Sequence, residues 1–398
     1  MRLHCCVLPL LVSCASPPPP RPPEPLRPPP PPLQQAAKPP PAVVVAEPEP
    51  VFDVTDAALR DEDTSGVEIT LFAKDAGTVT MSKKHTYVVV HRRKELELRA
   101  GGQSRPIPVR ASTRVRISDD EKHLLVADEN WNLRVFSLPS GALEREIPRV
   151  RVYDVAGNTL VYRTSQCELY SVSLSALARP KSLGKDCGTV LGLDPEAGRA
   201  LLGESSELQA MHSRGYANVD LLQLDGGRRD EIVKAANAMS FLSNVSVARD
   251  LSRLCYVTDQ QVNCTATVQP ELVVLRSDPA YSEPLFDPSG TKVAYLTRTK
   301  LGAPEHLVVG SAVSGETRDL MVTEHEWWEF LPGGVRLVGH GGPRRFAVVD
   351  LRQGWKMELG RPGEEYEGLA MVPGDPTRFF IGRERGNTRD VYLVELGR

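Results

Sequence analysis

Phe286-Asp-Pro-Ser-Gly-Thr-Lys-Val-Ala-Tyr-Leu296 decides how the rest of the chain is read. An apolar residue ends one strand, Asp-Pro-Ser-Gly makes a tight turn, and Val293 to Leu296 favour β-structure. Proline presets φ at the second turn position and glycine accepts positive φ, so the peptide predicts a hairpin. The same form recurs at Ile117-Ser-Asp-Asp-Glu-Lys-His-Leu-Leu-Val-Ala127 and at Leu193-Asp-Pro-Glu-Ala-Gly-Arg-Ala-Leu-Leu202. It returns within residues 247–257, 330–338 and 371–381.

A second half follows these hairpins. Leu307-Val-Val-Gly-Ser-Ala-Val-Ser-Gly-Glu-Thr-Arg-Asp-Leu320 is a strand, a glycine turn and an outer strand, and 133–147, 219–232 and 346–359 match it. Four short strands every ~40 residues is the pattern of a propeller blade, so the fold class is all-β and the architecture a β-propeller. First strands begin near Val79, Val115, Val150, Val190, Met239, Pro284, Trp327 and Leu369. That makes eight blades, with seven as the alternative because the unit around 238–275 is irregular, and a pair of β-sandwiches beyond that. The last unit lacks an outer strand after Val391-Tyr-Leu-Val-Glu-Leu396, whereas Val67-Glu-Ile-Thr-Leu-Phe-Ala73 is a spare strand at the start. Pairing the two would close the ring and leave no free edge there.

On these residues, most clearly 286–320, the region 66–398 resembles the TolB-type, WD40-like propellers of the bacterial envelope. No full Trp-Asp or Gly-His signature occurs.

The chain opens differently. Met1-Arg2-Leu3-His4 is weakly positive, residues 5–12 form a short apolar run, and Ser13 precedes Cys14. That order is a signal peptide, far shorter than the ~18 apolar residues of a spanning helix. Leu11-Val12-Ser13-Cys14 resembles the lipobox of bacterial lipoproteins. The resemblance implies a diacylglycerol on Cys14 and cleavage before it, with Ala15 in place of an aspartate implying the outer membrane and a periplasm- or surface-facing domain. An ordinary signal peptide with an incidental cysteine is the alternative. In plan, a lipid-anchored propeller is similar to the BamB family of outer-membrane assembly lipoproteins, although no tryptophan-docking repeat is present.

Residues 15–50 are dominated by proline. Proline fixes φ and lacks the amide donor, so the stretch predicts a disordered or polyproline stalk. At ~3.1 Å per residue it would reach up to ~100 Å. A P-x-x-P ligand is the competing reading. The expected organisation is therefore a leader at 1–13, a lipidated cysteine and proline-rich linker at 14–50, a linker at 51–65, and the propeller at 66–398.

The formal net charge of −3 argues against a general nucleic-acid binder. Once the leader and Cys14 are set aside, Cys167, Cys187, Cys255 and Cys264 remain. An even number in an exported chain invites disulfides. If Asp259-Gln260 is a two-residue turn, Cys255 and Cys264 face each other at a non-hydrogen-bonded pair, leaving Cys167 with Cys187. Four free or buried thiols are the alternative.

Chemical motifs are few. His325-Glu326-Trp327-Trp328-Glu329 is half of a metalloprotease helix at best and is stopped by Leu331-Pro332-Gly333-Gly334. Gly339-His340-Gly341-Gly342 resembles an esterase oxyanion loop, yet no G-x-S-x-G elbow accompanies it, and it predicts the turn of a late blade. The histidines show no ligand spacing, and Asp61-Glu62-Asp63 and Asp119-Asp120-Glu121 read as solvated turns rather than calcium loops. No catalytic residue, metal site or cofactor is expected. The insertion 207–217 exceeds a hairpin loop, which makes Met211, His212, Arg214 and Tyr216 a candidate contact surface. Two functions follow. One is a membrane-anchored interaction or scaffold module for envelope proteins. The other is a propeller enzyme, a glycan lyase or lactonase-like hydrolase with an axial site, which would need converging acids, histidines or metal ligands from several blades.

Overall fold

A computed structural model describes residues 52–55, 57–93, 95–109, 114–175, 178–204, 215–236, 242–258, 261–275, 282–300, 302–341, 345–360, 364–386 and 388–397. Strands form eight sheets and, among the described residues, no helix occurs. The sheets are the blades of a propeller: one (76–107), two (114–147), three (150–185), four (189–234), five (243–274), six (285–323), seven (327–359) and eight (366–395). Within each, consecutive strands pair antiparallel in chain order, from the first, innermost strand outward.

The hairpin motif builds as read. Thr291 N–H and Lys292 N–H donate to Asp287 Oδ1 at 3.0 and 2.9 Å, and Gly290 takes a φ of 71°. The following strand, Lys292–Thr297, is buried throughout. Second strands are buried in every blade because the sheet is covered on both faces by its neighbours. Outer strands such as Leu143–Ile147 and Lys181–Lys185 are largely exposed.

Eight apolar cores hold the ring, each shared by two adjacent blades. Val115, Leu124 and Phe136 of blade two pack on Leu96 and Leu98 of blade one. Around the circle, Phe380 and Val391 of blade eight meet Val79 and Val90 of blade one. Each blade thus buries both faces, at about 25 cal/mol per Å² of apolar surface removed from water.

Two strands precede blade one: β1 (Arg60–Asp61) and β2 (Glu68–Ala73). As the spare-strand reading expects, β2 supplies the missing outer strand of blade eight, with Glu68 opposite Glu395 and Leu71 opposite Tyr392.

Three expectations need correction. Residues 51–65 read as linker, but 52–55 and 59–62 are docked. Val54 is buried in the core between blades six and seven, and β1 adds a parallel fifth strand beside Trp355 and Lys356. Asp53 receives Lys292 Nζ at 2.7 Å and Arg352 Nη2 at 2.5 Å. Blade seven's outer strand, Trp355–Leu359, is consequently mostly buried. The unit around 238–275 is a full four-stranded blade, so the ring has eight blades; its first strand is Ser243–Val247, with a register break between Ser243 and Ser246, and Cys255 lies in register opposite Cys264, while Met239 lies outside the described residues. Finally, Asp119-Asp120-Glu121 is not a merely solvated turn. Glu121 accepts Lys84 N–H from blade one at 2.6 Å and Asp119 accepts Gly157 N–H from blade three at 2.9 Å, so the turn ties three blades.

Candidate functional site

Cys14 lies outside the described residues, as do Met211, His212 and Arg214. Tyr216 is described, and it is built into the ring rather than presented from it. Its backbone pairs with Leu242 through two hydrogen bonds, and its ring lies so close over Gly203 that a Cβ there would sit 2.6 Å from Tyr216 Cδ1. Burial pushes its phenol up, against a hydrogen bond with Thr189 and with nearby Glu283 adding to the rise. The cysteines are joined as Cys167–Cys187 and Cys255–Cys264, with Cα–Cα distances of 4.5 and 4.1 Å.

The ring has two unlike faces. First strands begin, second strands end and third strands begin on one face; the Asp-Pro-Ser-Gly-type turns occupy the other. The described chain starts on the turn face, where Asp53 meets Lys292. Glu204 and Asn218, which flank the 205–217 insertion, lie on the first face.

Clefts open on that first face between blades. One of about 490 Å³ lies between blades seven and eight, lined by Glu326, Trp327, His340, Gly341, Glu365, Glu367 and Gly368. A neighbouring cleft between blades six and seven shares Glu326 and Trp327 and adds Glu283, Tyr295 and Glu305.

Local pairing explains the geometry. Trp327 opens the inner strand Trp327–Phe330 and sits opposite His340, the last residue of Arg336–His340. Paired residues share a side of the sheet, here the side that carries Val338 into the core with blade eight. Period-two alternation sends Trp328 and Phe330 the other way, into the core with blade six. Trp328 lies on Gly339, where no side chain would fit, and meets the His325 ring edge-on at 5.6 Å. Trp327 remains 53% exposed, and Gly341, with φ of 71°, leaves it room: a Cβ there would sit 2.5 Å from Trp327 Cδ1.

The electrostatics are one-sided. Glu326, Glu365 and Glu367 are exposed around the cleft. Glu367 is bound by Arg389 at 2.8 Å, and Arg389 also holds Glu384 at 2.9 Å. His340 is 8% exposed, and its Nδ1 has no hydrogen-bond partner among the described residues. Burial, with His325 and Arg389 adding to it, pushes His340 down to about 4, so its imidazole is neutral at pH 7. Burial pushes Glu329, two residues along the inner strand, up to about 6.

Among the described residues no three acids, histidines or cysteines gather as a metal site. An exposed indole, carboxylates and a neutral imidazole make a recognition surface: a π-face, negative charge and an acceptor. From the sequence, Trp327 reads as a first-strand start within a broken metalloprotease-like fragment and 339–342 as the turn of a late blade, which leaves their pairing unread. The available signal was a tryptophan at an inner-strand start and a histidine at the end of the next strand, thirteen residues on, within hairpin range.

No protein-family model matches the chain, and no curated protein matches it. Several solved structures are similar to it. The computationally designed Ika8 protein aligns with a TM-score of 0.55 and 11% identity over 81% of this chain and 98% of its own. BamB from Moraxella catarrhalis aligns at 0.54 and 10%, over 83% and 100%. The dihydro-heme d1 dehydrogenase NirN aligns at 0.51 and 15%, over 73% and 66%. Identities this low establish the shared fold and nothing finer.

Proposed function

We propose that this chain is a lipid-anchored propeller of the bacterial cell envelope that works as a protein-interaction module. Its partner face is the one carrying Trp327, opposite the face on which the described chain begins. The carrying observation is a large indole, more than half exposed, held on the rigid rim of a cleft among carboxylates. Surface aromatics in such settings are anchors of interfaces. The Leu11-Val12-Ser13-Cys14 pattern and the proline run support the tether, and the fold likeness to BamB is compatible with an envelope role.

A photoreactive amino acid at exposed Glu324, beside Trp327, tests the reading in cells. Cross-links to envelope protein are expected from position 324 and not from Ser289 in a turn of the opposite face. Cross-links from 289 alone would refute the assignment of the face.

The second reading, an enzyme, draws on the divergent values of Glu329 and His340 beside one cavity, since such divergence marks acid and base pairs. Recognition accounts better for a site built on an exposed indole and three exposed carboxylates.

A further inference from the structure

We propose that the cleft between blades seven and eight is a subsite for a cationic side chain, lysine or arginine, of the protein partner. This rests on the interaction-module reading and adds the chemistry that the partner must bring.

Three features converge. The face of an indole carries negative charge density and attracts an ammonium or guanidinium placed over it. Trp327 offers such a face at the rim, positioned by its pairing with His340 and by the bare backbone of Gly341. Around it stand Glu326, Glu365 and Glu367, whose carboxylates would make charge-assisted hydrogen bonds to the same cation. Glu326 and Glu365 form no ion pair among the described residues. Glu367 already holds the guanidinium of Arg389, so this wall accepts the chemistry within the chain itself.

The third feature is independent of the acids. His340 is more than nine-tenths buried, lines the cleft, and has a ring nitrogen without a partner among the described residues. A buried polar atom of this kind is ordinarily satisfied. In the neutral tautomer with Nδ1 unprotonated that nitrogen is an acceptor, and an N–H donor from a ligand would complete it once the ring turns toward the cleft it lines. Donors are what lysine and arginine provide, and neither has an acceptor to compete. An anion would meet the carboxylates of Glu326 and Glu365, and a neutral sugar would stack on Trp327 yet leave their charge uncompensated.

The test uses the full chain in detergent micelles, titrated with three short peptides that differ in one residue: arginine, lysine, or the neutral isostere citrulline. The arginine and lysine peptides should bind saturably, and the citrulline peptide about tenfold more weakly. The double variant Glu326→Gln/Glu365→Gln keeps the shape of the wall. It should lose about tenfold for the cationic peptides, as should Trp327→Ala. Added salt should weaken wild type more than the double variant. Equal binding of arginine and citrulline, a double variant that binds like wild type, or no saturation at millimolar peptide would each overturn the proposal. So would tight binding of a neutral oligosaccharide in place of the peptides. If cross-linking from position 324 captured a partner while these titrations failed, the interaction face would stand and the cationic subsite would fall.

Discussion

Asp53 carries the sharpest test of the structure, because it is a single carboxylate on which a docked arm depends. It accepts Lys292 Nζ at 2.7 Å, from a lysine side chain only 10% exposed, and Arg352 Nη2 and Nε at 2.5 and 3.2 Å. Asp53→Ala leaves the ammonium of Lys292 buried without its partner. Breaking a fully buried pair costs about 3–5 kcal/mol. Asp53 itself is 27% exposed and Arg352 64%, so water screens part of the interaction and about 2 kcal/mol is the reasonable figure. The loss is local: it loosens 53–62 rather than unfolding the ring. Native-state hydrogen exchange reads it at Thr55, Arg60 and Glu62, whose amides donate to Leu351, Gly354 and Lys356. About 2 kcal/mol corresponds to exchange faster by about thirtyfold at these amides. Central strands of distant blades, such as His123–Ala127, should be unchanged. The pH dependence follows. Burial raises the Asp53 carboxyl, but the bonds from Lys292 and Arg352 outweigh it and hold the group below its ordinary value. A depressed carboxylate contributes fully above its unfolded value of about 4 and loses that contribution as pH falls through the lower folded value. Wild type should therefore loosen only below about pH 4, while Asp53→Asn is loose and flat above it. Unchanged exchange at Thr55, Arg60 and Glu62 in Asp53→Ala would refute the clamp.

Other outcomes can be checked directly. Cys14→Ala should move the protein from the membrane to the soluble fraction; persistent membrane binding would remove the lipid tether. Intact mass under non-reducing conditions, on protein from its native compartment, should show Cys167, Cys187, Cys255 and Cys264 oxidised, and four alkylatable thiols would exclude both bonds. Glu329 has its folded value raised from 4.5 to about 6, so the folded state holds its proton longer and stability falls as pH rises across that interval. Glu329→Gln should remove this slope and exceed wild type by up to about 2 kcal/mol above pH 6, read from denaturation midpoints across pH.

Much of the ring was legible because its signals are local or periodic. Asp287, Pro288 and Gly290 specify their turn within four residues, and repetition of that turn counts the blades. Even the closure of blade eight by 68–73 was legible, as an outer strand missing at one end and an unpaired strand at the other. The docked arm was not. Asp53 and Val54 show no period, and their partners Lys292 and Arg352 lie in distant blades. Isolated acids near a proline-rich stretch look solvated until the fold places cations beside them. The role of Asp119 and Glu121 was hidden for the same reason, since their acceptors serve amides of other blades. Trp327 was legible as a first-strand start and His340 as part of a late-blade turn, but not as partners. Their significance lies in cross-strand pairing and in Gly341 at the rim.

The pairing of β2 with the last strand also sets a schedule. Glu68 waits for Glu395, so no shorter length of chain can complete blade eight. Contacts this remote in sequence form late and slow folding. The six cores from blades one and two round to blades six and seven can form without Thr388–Glu395, whereas the cores on both sides of blade eight need it, through Val394 and Val391. Until that strand docks, β2 has an unpaired edge. The ring is thus most vulnerable to strand exchange between copies, or to proteolysis, before Thr388–Glu395 docks. Removal of Thr388–Glu395 should be felt at Ala73 and Val79 as much as within blade eight, because the first and last strands of the ring share one lock.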